Sequence, residues 1–588
     1  MERGKIAQWL LIGLAVILLW QFGGGFFGAG GTDAQPNLLT DLPAADAQRA
    51  PEETCTIKGP RFEADLSTQG ASLRHLRLTD QGKYSTKDGK PIDLVTTSRE
   101  WRSPLRTNLR VPTGDKQQVS ADNLDWKLTA RDDQSCTFVY EDANTKLTKL
   151  VRSTGKPFEL EVSLDVTNLG SEPLKHRLAL EQTSWRTTTE TEGSLGRISE
   201  HMTEVVAKTS ETTDRLGPDS FDAKDFADKE FTSEHWRRTP GDAQWVSVSS
   251  VYFTKVAIPV EGPAPAAEAL IEEDWNRKDF TAANRAKDKE NHGYVYRARL
   301  VYPEQELKPQ ETRSYKVLSF TGPKEREVLA AVSPNISEVI NLGTFSPIAK
   351  VLVGYLNVLH RFVGSWGWAI CLLTITVRLL LFPLSISQIK SSAAMRRLKP
   401  EMDEINERYK SDPAQKGLAV QELWRKHGIN PMYGCVPVLL QMPVWFALYQ
   451  ALQTAVELYH VPFLSTAIIP DLSDAGRYFV IPAILGASSF FQQKLMPPQG
   501  DPMQQKMMLY MLPGIFVVMM LYLPAGLGVY MLTNTWLGIA QQVAVERYLQ
   551  AKTQGPASIE VREKPVKTSG DDTKSTPALG KGKARVRG

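Results

Sequence analysis

Histidine, cysteine and membrane-embedded carboxylate are scarce in this 588-residue chain, and each scarcity removes a class of chemistry. The eight histidines are scattered and form no H-E-x-x-H, so no metal centre is expected. Four cysteines make neither a zinc spacing nor a disulfide framework. Cys371 and Cys435 fall in apolar segments, whereas Cys55 and Cys136 lie in a polar part and either pair or stay as two thiols. There is no G-x-x-x-x-G-K-[ST], which excludes a P-loop nucleotide engine. Lys and Arg number 69 against 66 Asp and Glu, and a net charge of only +3 argues against a nucleic-acid binder held by phosphate contacts.

What the chain does have is sharp apolar clustering. The start, "MERGKIAQWLLIGLAVILLWQF", places Arg3 and Lys5 before an uncharged run from Ile6 to Phe22, about the length that spans a bilayer. No A-x-A site follows, so residues 1–28 read as an uncleaved anchor; a cleavable signal peptide shares the basic head and short core. Residues 29–58, rich in Gly, Ala, Pro and Asp, read as a linker. From 59 to 340 the pattern has period two. "FELEVSLDVTNL" (Phe158–Leu169), "QWVSVSSVYFTKVAI" and "YVYRARLVYP" predict half-buried strands of an exported β-sandwich. Residues 345–364 switch to helical spacing. Ile348, Val351, Leu352, Tyr355, Leu356, Leu359, Phe362 and Val363 form one stripe of a helix that lies in the membrane interface or packs on the β-domain.

Five spans follow at about 365–384, 433–453, 478–493, 506–522 and 526–545, making six with the anchor. The segment 385–432 carries nine Lys/Arg and the chain after Glu546 carries ten, whereas 455–477 has Arg477 alone against three acids. Basic flanks belong in the cytoplasm, which puts both termini inside and the β-domain outside. Within 385–432, Leu398, Met402, Ile405 and Tyr409, then Val420, Leu423 and Trp424, predict an αα-hairpin. Its second helix is capped by Asp412 with Pro413 at the first position. It is either a solvated spacer or a platform for a cytoplasmic partner. The expected class is therefore a polytopic α-helical membrane protein of six spans with a large exported all-β sandwich, a cytoplasmic helical hairpin and a basic tail at 549–588.

No predicted span contains Asp or Glu, so Arg378 in "CLLTITVRLLLFPL" has no acid to pair with there. An arginine at a helix centre costs roughly 2.5–3.5 kcal/mol on insertion scales. Snorkelling is the alternative to a wet, protein-enclosed cavity, but four apolar residues still separate Arg378 from Pro383. Thr374 shares its face; Gln441, Gln450, Tyr530, Asn534 and Gln541 add neutral polar groups. A cavity with one fixed cation suits a passing polypeptide whose acidic tail is held while its apolar segment moves into lipid, gaining about 0.8 kcal/mol per buried methylene. A solute transporter should show inverted repeats and a coupling carboxylate, and an intramembrane protease a base beside Ser488 or Ser489; neither pattern is present.

"GINPMYGCVPVLLQMPVWFALY", "WGWAICLLTITVRLLLFPL", "DPMQQKMM" and "LPAGLGVYMLTN" resemble, in order and spacing, the YidC-type membrane protein insertases, over about residues 345–548. The anchor and exported β-domain resemble the layout of the Gram-negative branch. The resemblance implies a non-enzymatic inner-membrane insertase and chaperone, without cofactor, whose 365–548 core of five helices encloses a hydrophilic groove open to cytoplasm and lipid. Its groove arginine, threonine and glutamine fall on Arg378, Thr374 and Gln441, and its last-helix contacts on Tyr530 and Asn534. A tandem tyrosine common in the family reads Tyr530-Met531 here. Implied partners are nascent membrane-protein substrates, the Sec translocon, and a ribosome or targeting machinery met by Arg396, Arg397, Lys399 and Arg408 of the hairpin and by the tail "GKGKARVRG".

Overall fold

The computed structural model describes residues 50–553 apart from 81–82, 87–88, 98–101, 114–116, 121–124, 194–197, 222–229, 231–234, 276–291, 411, 429–431, 467, 475–478 and 496–505. The predicted anchor and most of the tail lie outside the described residues. Three strands, β1 (Thr54–Gly59), β2 (Phe62–Ser67) and β3 (Ser72–Leu78), form a small antiparallel sheet. Strand β1 thus begins inside the stretch read as linker. Its alternation is too short to stand out, and Cys55 and Ile57 bury only because the sandwich lies behind them.

The large sheet is one hydrogen-bonded ladder folded over on itself. One half runs β5 (Gln117–Ser120), β4 (Arg106–Thr113), β10 (Leu174–Thr187), β16 (His292–Val301), β15 (Ala266–Trp275), β13 (Arg237–Ser249). The other runs from β13 through β14 (Phe253–Glu261), β18 (Thr312–Pro323), β9 (Glu159–Asn168), β8 (Thr145–Ser153), β7 (Ser135–Glu141) and β6 (Lys127–Arg131), while β11 (Glu204–Thr209) and β12 (Thr213–Leu216) form a hairpin on β13 and β17 (Gln305–Leu307) pairs with β10. Strand β13 turns the corner. Its Arg237–Asp242 end pairs with β15, its Val246–Ser249 end pairs with β14, and the register shifts between Thr239 and Asp242. A bulge there bends the strand, with Pro240 and Gly241 (φ 86°) inside it. The two halves then close face to face as a β-sandwich: Gln182 on β10 donates to Ser319 on β18 at 3.0 Å.

Strand β9 shows the predicted alternation, with Leu160, Val162, Leu164 and Val166 buried and the residues between them half-buried. Strand β16 does not, because both of its faces are covered. Arg297 pairs with Glu181 (Nη2 to Oε2, 2.9 Å), Arg299 with Glu268 (2.6 Å), and both guanidinium groups lie over Trp236, at 4.6 and 3.6 Å. Arginines that alternation assigns to solvent are therefore spent on buried carboxylates. Removing one partner of such a pair costs more than the pair contributes.

Three lysines are also buried in the sandwich. Lys149 Nζ donates to the Leu105 carbonyl and to Thr107, Lys255 to the Thr183 carbonyl (2.7 Å), and Lys324 to the Val339 carbonyl (3.4 Å). Burial pushes each ammonium down to about 7, with Arg106 adding to the effect at Lys149 and Arg186 at Lys255. An unfolded lysine titrates near 10.4. Between about pH 7 and that value the unfolded chain binds more protons than the folded one, so stability rises with pH, by up to about 1.4 kcal/mol per pH unit for each lysine. The midpoint for thermal unfolding of the β-domain, followed in the full chain in detergent, is expected to climb from pH 7 to 9, and Lys255→Met to flatten the climb. A flat or falling profile removes this account of the lysines.

Apart from a single turn at Thr188–Thr191 within the β-domain, the helices begin with α1 (Arg326–Val332) and α2 (Ser346–Val363). On α2 the buried line is Ala349, Val353 and Leu356, whereas Val351 and Phe362 are 72% and 83% exposed. The predicted apolar stripe is therefore not the buried face: of its residues only Leu356 is buried, Leu352 and Leu359 are half-buried, and Ile348, Val351, Tyr355, Phe362 and Val363 are exposed, while Ala349 and Val353 outside it join the sandwich core. Next come α3 (Trp366–Leu380), α4 (Phe382–Arg397), α5 (Lys399–Arg408), α6 (Pro413–Lys426), α7 (Met432–Gln453), α8 (Val480–Leu495), α9 (Leu512–Met520) and α10 (Ala525–Thr553). The span expected at 365–384 is broken at Leu381. Pro383 has no N–H to continue the ladder, and the segments Trp366–Leu380 and Ser385–Met395 meet at 68°. That bent pair reaches spanning length and composition together; among the described residues no single helix is long and apolar enough to cross a membrane alone.

The β-domain core continues into the helices through Ala349, Val353, Ala447, Ala451 and Val456. Between α7 and α8, Tyr459 enters an aromatic socket made by Tyr84, Tyr252 and Phe253, with ring centroids 5.1 to 6.2 Å away, and Arg326 pairs with Glu457 at 3.2 Å. Phe463 in the same loop lies on Gly367 of α3, where a Cβ would stand 2.0 Å from its ring. A second core of Leu356, Ile370, Leu373, Leu448, Leu452, Leu485, Leu527 and Tyr530 holds the helices to one another.

Candidate functional site

Four helices bring polar side chains to one place. Arg378 stands in the last turn of α3, half-buried, and turns toward α10. Its Nε donates to Asn534 Oδ1 (2.6 Å), Nη2 to the Asn534 carbonyl (2.9 Å) and Nη1 to Gln541 Oε1 (3.3 Å). Gln441 on α7 donates to the same Asn534 Oδ1 at 3.2 Å. Among the described residues no carboxylate pairs with Arg378 (salt bridges elsewhere are confined to the β-domain, its seam and the surface). A cation whose acceptors are all neutral keeps most of its charge uncompensated and is poised for an anion.

Of the residues expected to act together, Arg378, Gln441 and Asn534 form this connected network. Tyr530 is buried one turn before Asn534, its hydroxyl making no hydrogen bond of ordinary geometry. Thr374 is buried as well, and its hydroxyl donates to the Ile370 carbonyl of its own helix at 2.7 Å. Satisfying a helix carbonyl is what a threonine in an apolar helix does by default. Met531 is half-buried beside the helical core.

Sequence spacing had not singled out Gly538 and Gln492. A Cβ at Gly538 would lie 3.0 Å from Arg378 Nη2 and 2.9 Å from Gln492 Nε2, so the absent side chain is what admits the guanidinium. A glycine four residues after Asn534, inside a long helix, was the available signal. Trp536 Nε1 donates to Ser488 Oγ (2.9 Å) and Cys371 Sγ approaches Thr533 Oγ1 (3.5 Å), tying α10 to α8 and α3 on either side of the network.

Further along, Leu398, Met402 and Leu423 are buried together between α5 and α6. Asp412 Oδ1 caps α6 through the N–H groups of Ala414 and Gln415. Arg397, Lys399 and Arg408 are exposed; the side chain of Arg396 lies outside the described residues.

A family model described as the YidC periplasmic domain matches residues 54–355, and one described as 60Kd inner membrane protein matches residues 358–552. The chain belongs to the YidC family of membrane protein insertases. A relative from Anaeromyxobacter dehalogenans named membrane protein insertase YidC is 34% identical over 85% of this chain and 86% of its own. Another of that name from Geobacter sulfurreducens is 31% identical, with 83% and 85% covered. A solved active YidC insertase aligns with 84% of this chain and 95% of its own at 18% identity and a TM-score of 0.35. YidC-family insertases are not enzymes, and they are inner-membrane proteins with a periplasmic domain, which here is the β-sandwich.

Proposed function

We propose that this YidC-family chain inserts membrane proteins by holding a polar or acidic client segment at the network of Arg378, Gln441 and Asn534 while the apolar segment passes into lipid. The observation that carries the reading is a guanidinium whose acceptors, Asn534 and Gln541 of the last helix, are all neutral, with Gln441 of another helix donating to the same Asn534 oxygen, in a helical part otherwise packed largely by apolar side chains. Thr374 and Tyr530 shape the wall beside it. The chain spans the membrane six times with both termini in the cytoplasm, as the Lys and Arg flanks favour. The helices of 385–432 form a cytoplasmic hairpin. Its exposed Arg397, Lys399 and Arg408, together with Arg396 and the basic tail, meet a ribosome or targeting factor, and the insertase acts alone or beside the Sec translocon.

Photocrosslinkers at Gln441 and Tyr530, in protein reconstituted into liposomes without nucleotide, are expected to capture a single-span client with an acidic translocated tail. Crosslinks from the outward-facing Val351 and Phe362, with none from Gln441 or Tyr530, would falsify the groove.

A further inference from the structure

Arg378 is already occupied. Its Nε and Nη2 both go to Asn534, through the side-chain oxygen at 2.6 Å and the backbone carbonyl at 2.9 Å, and Nη1 leans on Gln541 at 3.3 Å. The Asn534 amide oxygen also takes the Gln441 donor at 3.2 Å, so one neutral acceptor serves two helices. Gly538 keeps the space beside Nη2 clear. The amide oxygen therefore sits where one oxygen of a carboxylate would sit in a fork-to-fork pair with the guanidinium.

We infer that Asn534 is a resident stand-in for the client's carboxylate: a latch that closes Arg378 onto the last helix and sets a threshold that an incoming group must exceed. A carboxylate exceeds it, because it adds the attraction of a full negative charge and can accept two parallel N–H bonds from the guanidinium fork, whereas the amide offers one neutral side-chain oxygen. A serine or glutamine side chain does not, since it offers the guanidinium no more than Asn534 already gives. Discrimination between acidic and neutral tails then comes from competition within the protein as well as from the charge of Arg378. Gln541 acts as a weaker second arm. The inference rests on the groove reading above and adds to it a specificity-determining residue.

The test uses the full chain in liposomes and two single-span clients that differ only in an Asp-containing or a Gln-containing translocated tail. The readout is the ratio of acidic-tail to neutral-tail insertion, which a folding defect lowering both yields does not move. Asn534→Asp places a permanent carboxylate on the guanidinium and is expected to lower the ratio about tenfold. Asn534→Leu removes the competitor and is expected to lower the ratio severalfold from the other side, by raising the neutral-tail yield. Gln541→Glu should act like Asn534→Asp but more weakly. An unchanged ratio in both Asn534 variants overturns the latch. Arg378→Ala in the same assay separates the two ideas: if it lowers the ratio while the Asn534 variants do not, the groove stands and the latch falls; if it too leaves the ratio unchanged, both fall.

Discussion

Arg378→Ala is expected to reduce insertion of clients with an acidic translocated tail by roughly tenfold to a hundredfold, and Arg378→Lys to restore part of it. The guanidinium is the one cation in the polar network among the described residues, and its acceptors, Asn534 and Gln541, are neutral. A hydrogen bond to a charged partner contributes about 1.5–3 kcal/mol, and each 1.4 kcal/mol is a factor of ten in occupancy. Lysine keeps the charge but is a point donor without the planar fork, so it satisfies a client carboxylate less well and loses the contact with the Asn534 carbonyl. Quantitative insertion of an acidic-tailed and a neutral-tailed client into liposomes, at matched insertase density, checks both variants. An alanine variant that inserts every client at the parental yield would remove charge from the mechanism.

Loss of the Cys55–Cys136 disulfide is expected to destabilise the β-domain by roughly 4 kcal/mol and lower its thermal midpoint by on the order of 10 °C. The bond joins β1 to β7 across 81 residues of sequence, and both cysteines are buried. Closing so long a loop takes much conformational freedom from the unfolded chain. The small sheet is also tied to the rest by its buried apolar face, with Ile57, Phe62, Leu66, Leu73 and Leu76 in the common core, and by the cluster in which Arg61 binds Asp80 and Glu325. Lys83 and Tyr84 also reach Glu325, which holds its carboxyl down at about 2 against the effect of burial. The Cys55→Ser, Cys136→Ser double variant, unfolded in parallel with the parent and followed by proteolysis, gives the difference. A midpoint within a degree or two of the parent would mean the small sheet is held by its apolar face and that ionic cluster instead. A disulfide also fits an oxidising compartment, in keeping with a periplasmic β-domain.

Legibility differed from element to element for identifiable reasons. Strand β9 was plain because one face is buried and the other half-exposed, which is what an alternating pattern encodes. Strand β16 was legible as a strand, but its arginines were not legible as core residues; the carboxylates Glu181 and Glu268 come from other strands and Trp236 from the loop just before β13. The break at Leu381 has a local cause in Pro383, although the span expected at 365–384 ran through it. The buried face of α2 did not follow from its apolar stripe, because Ala349, Val353 and Leu356 were chosen as the buried line by the sandwich and the helices packed against them. At the candidate site, Arg378 was conspicuous as a charge in an apolar run. Gly538 was inconspicuous because its importance is the room it leaves for a side chain 160 positions away.

Apolar runs, charged flanks, alternation and motif order are properties of neighbouring residues. The order of residues along the chain was therefore enough to establish an exported β-sandwich, a helical membrane part and the family to which both belong. Which acceptor each buried donor meets is a property of residues far apart in the chain. That Arg378 closes on Asn534, 156 positions later, and that Cys55 pairs with Cys136 were decided only when packing brought those groups within bonding distance. Burial makes an unmatched polar group costly, so the fold had to find each one a partner, and no local pattern names which partner that is.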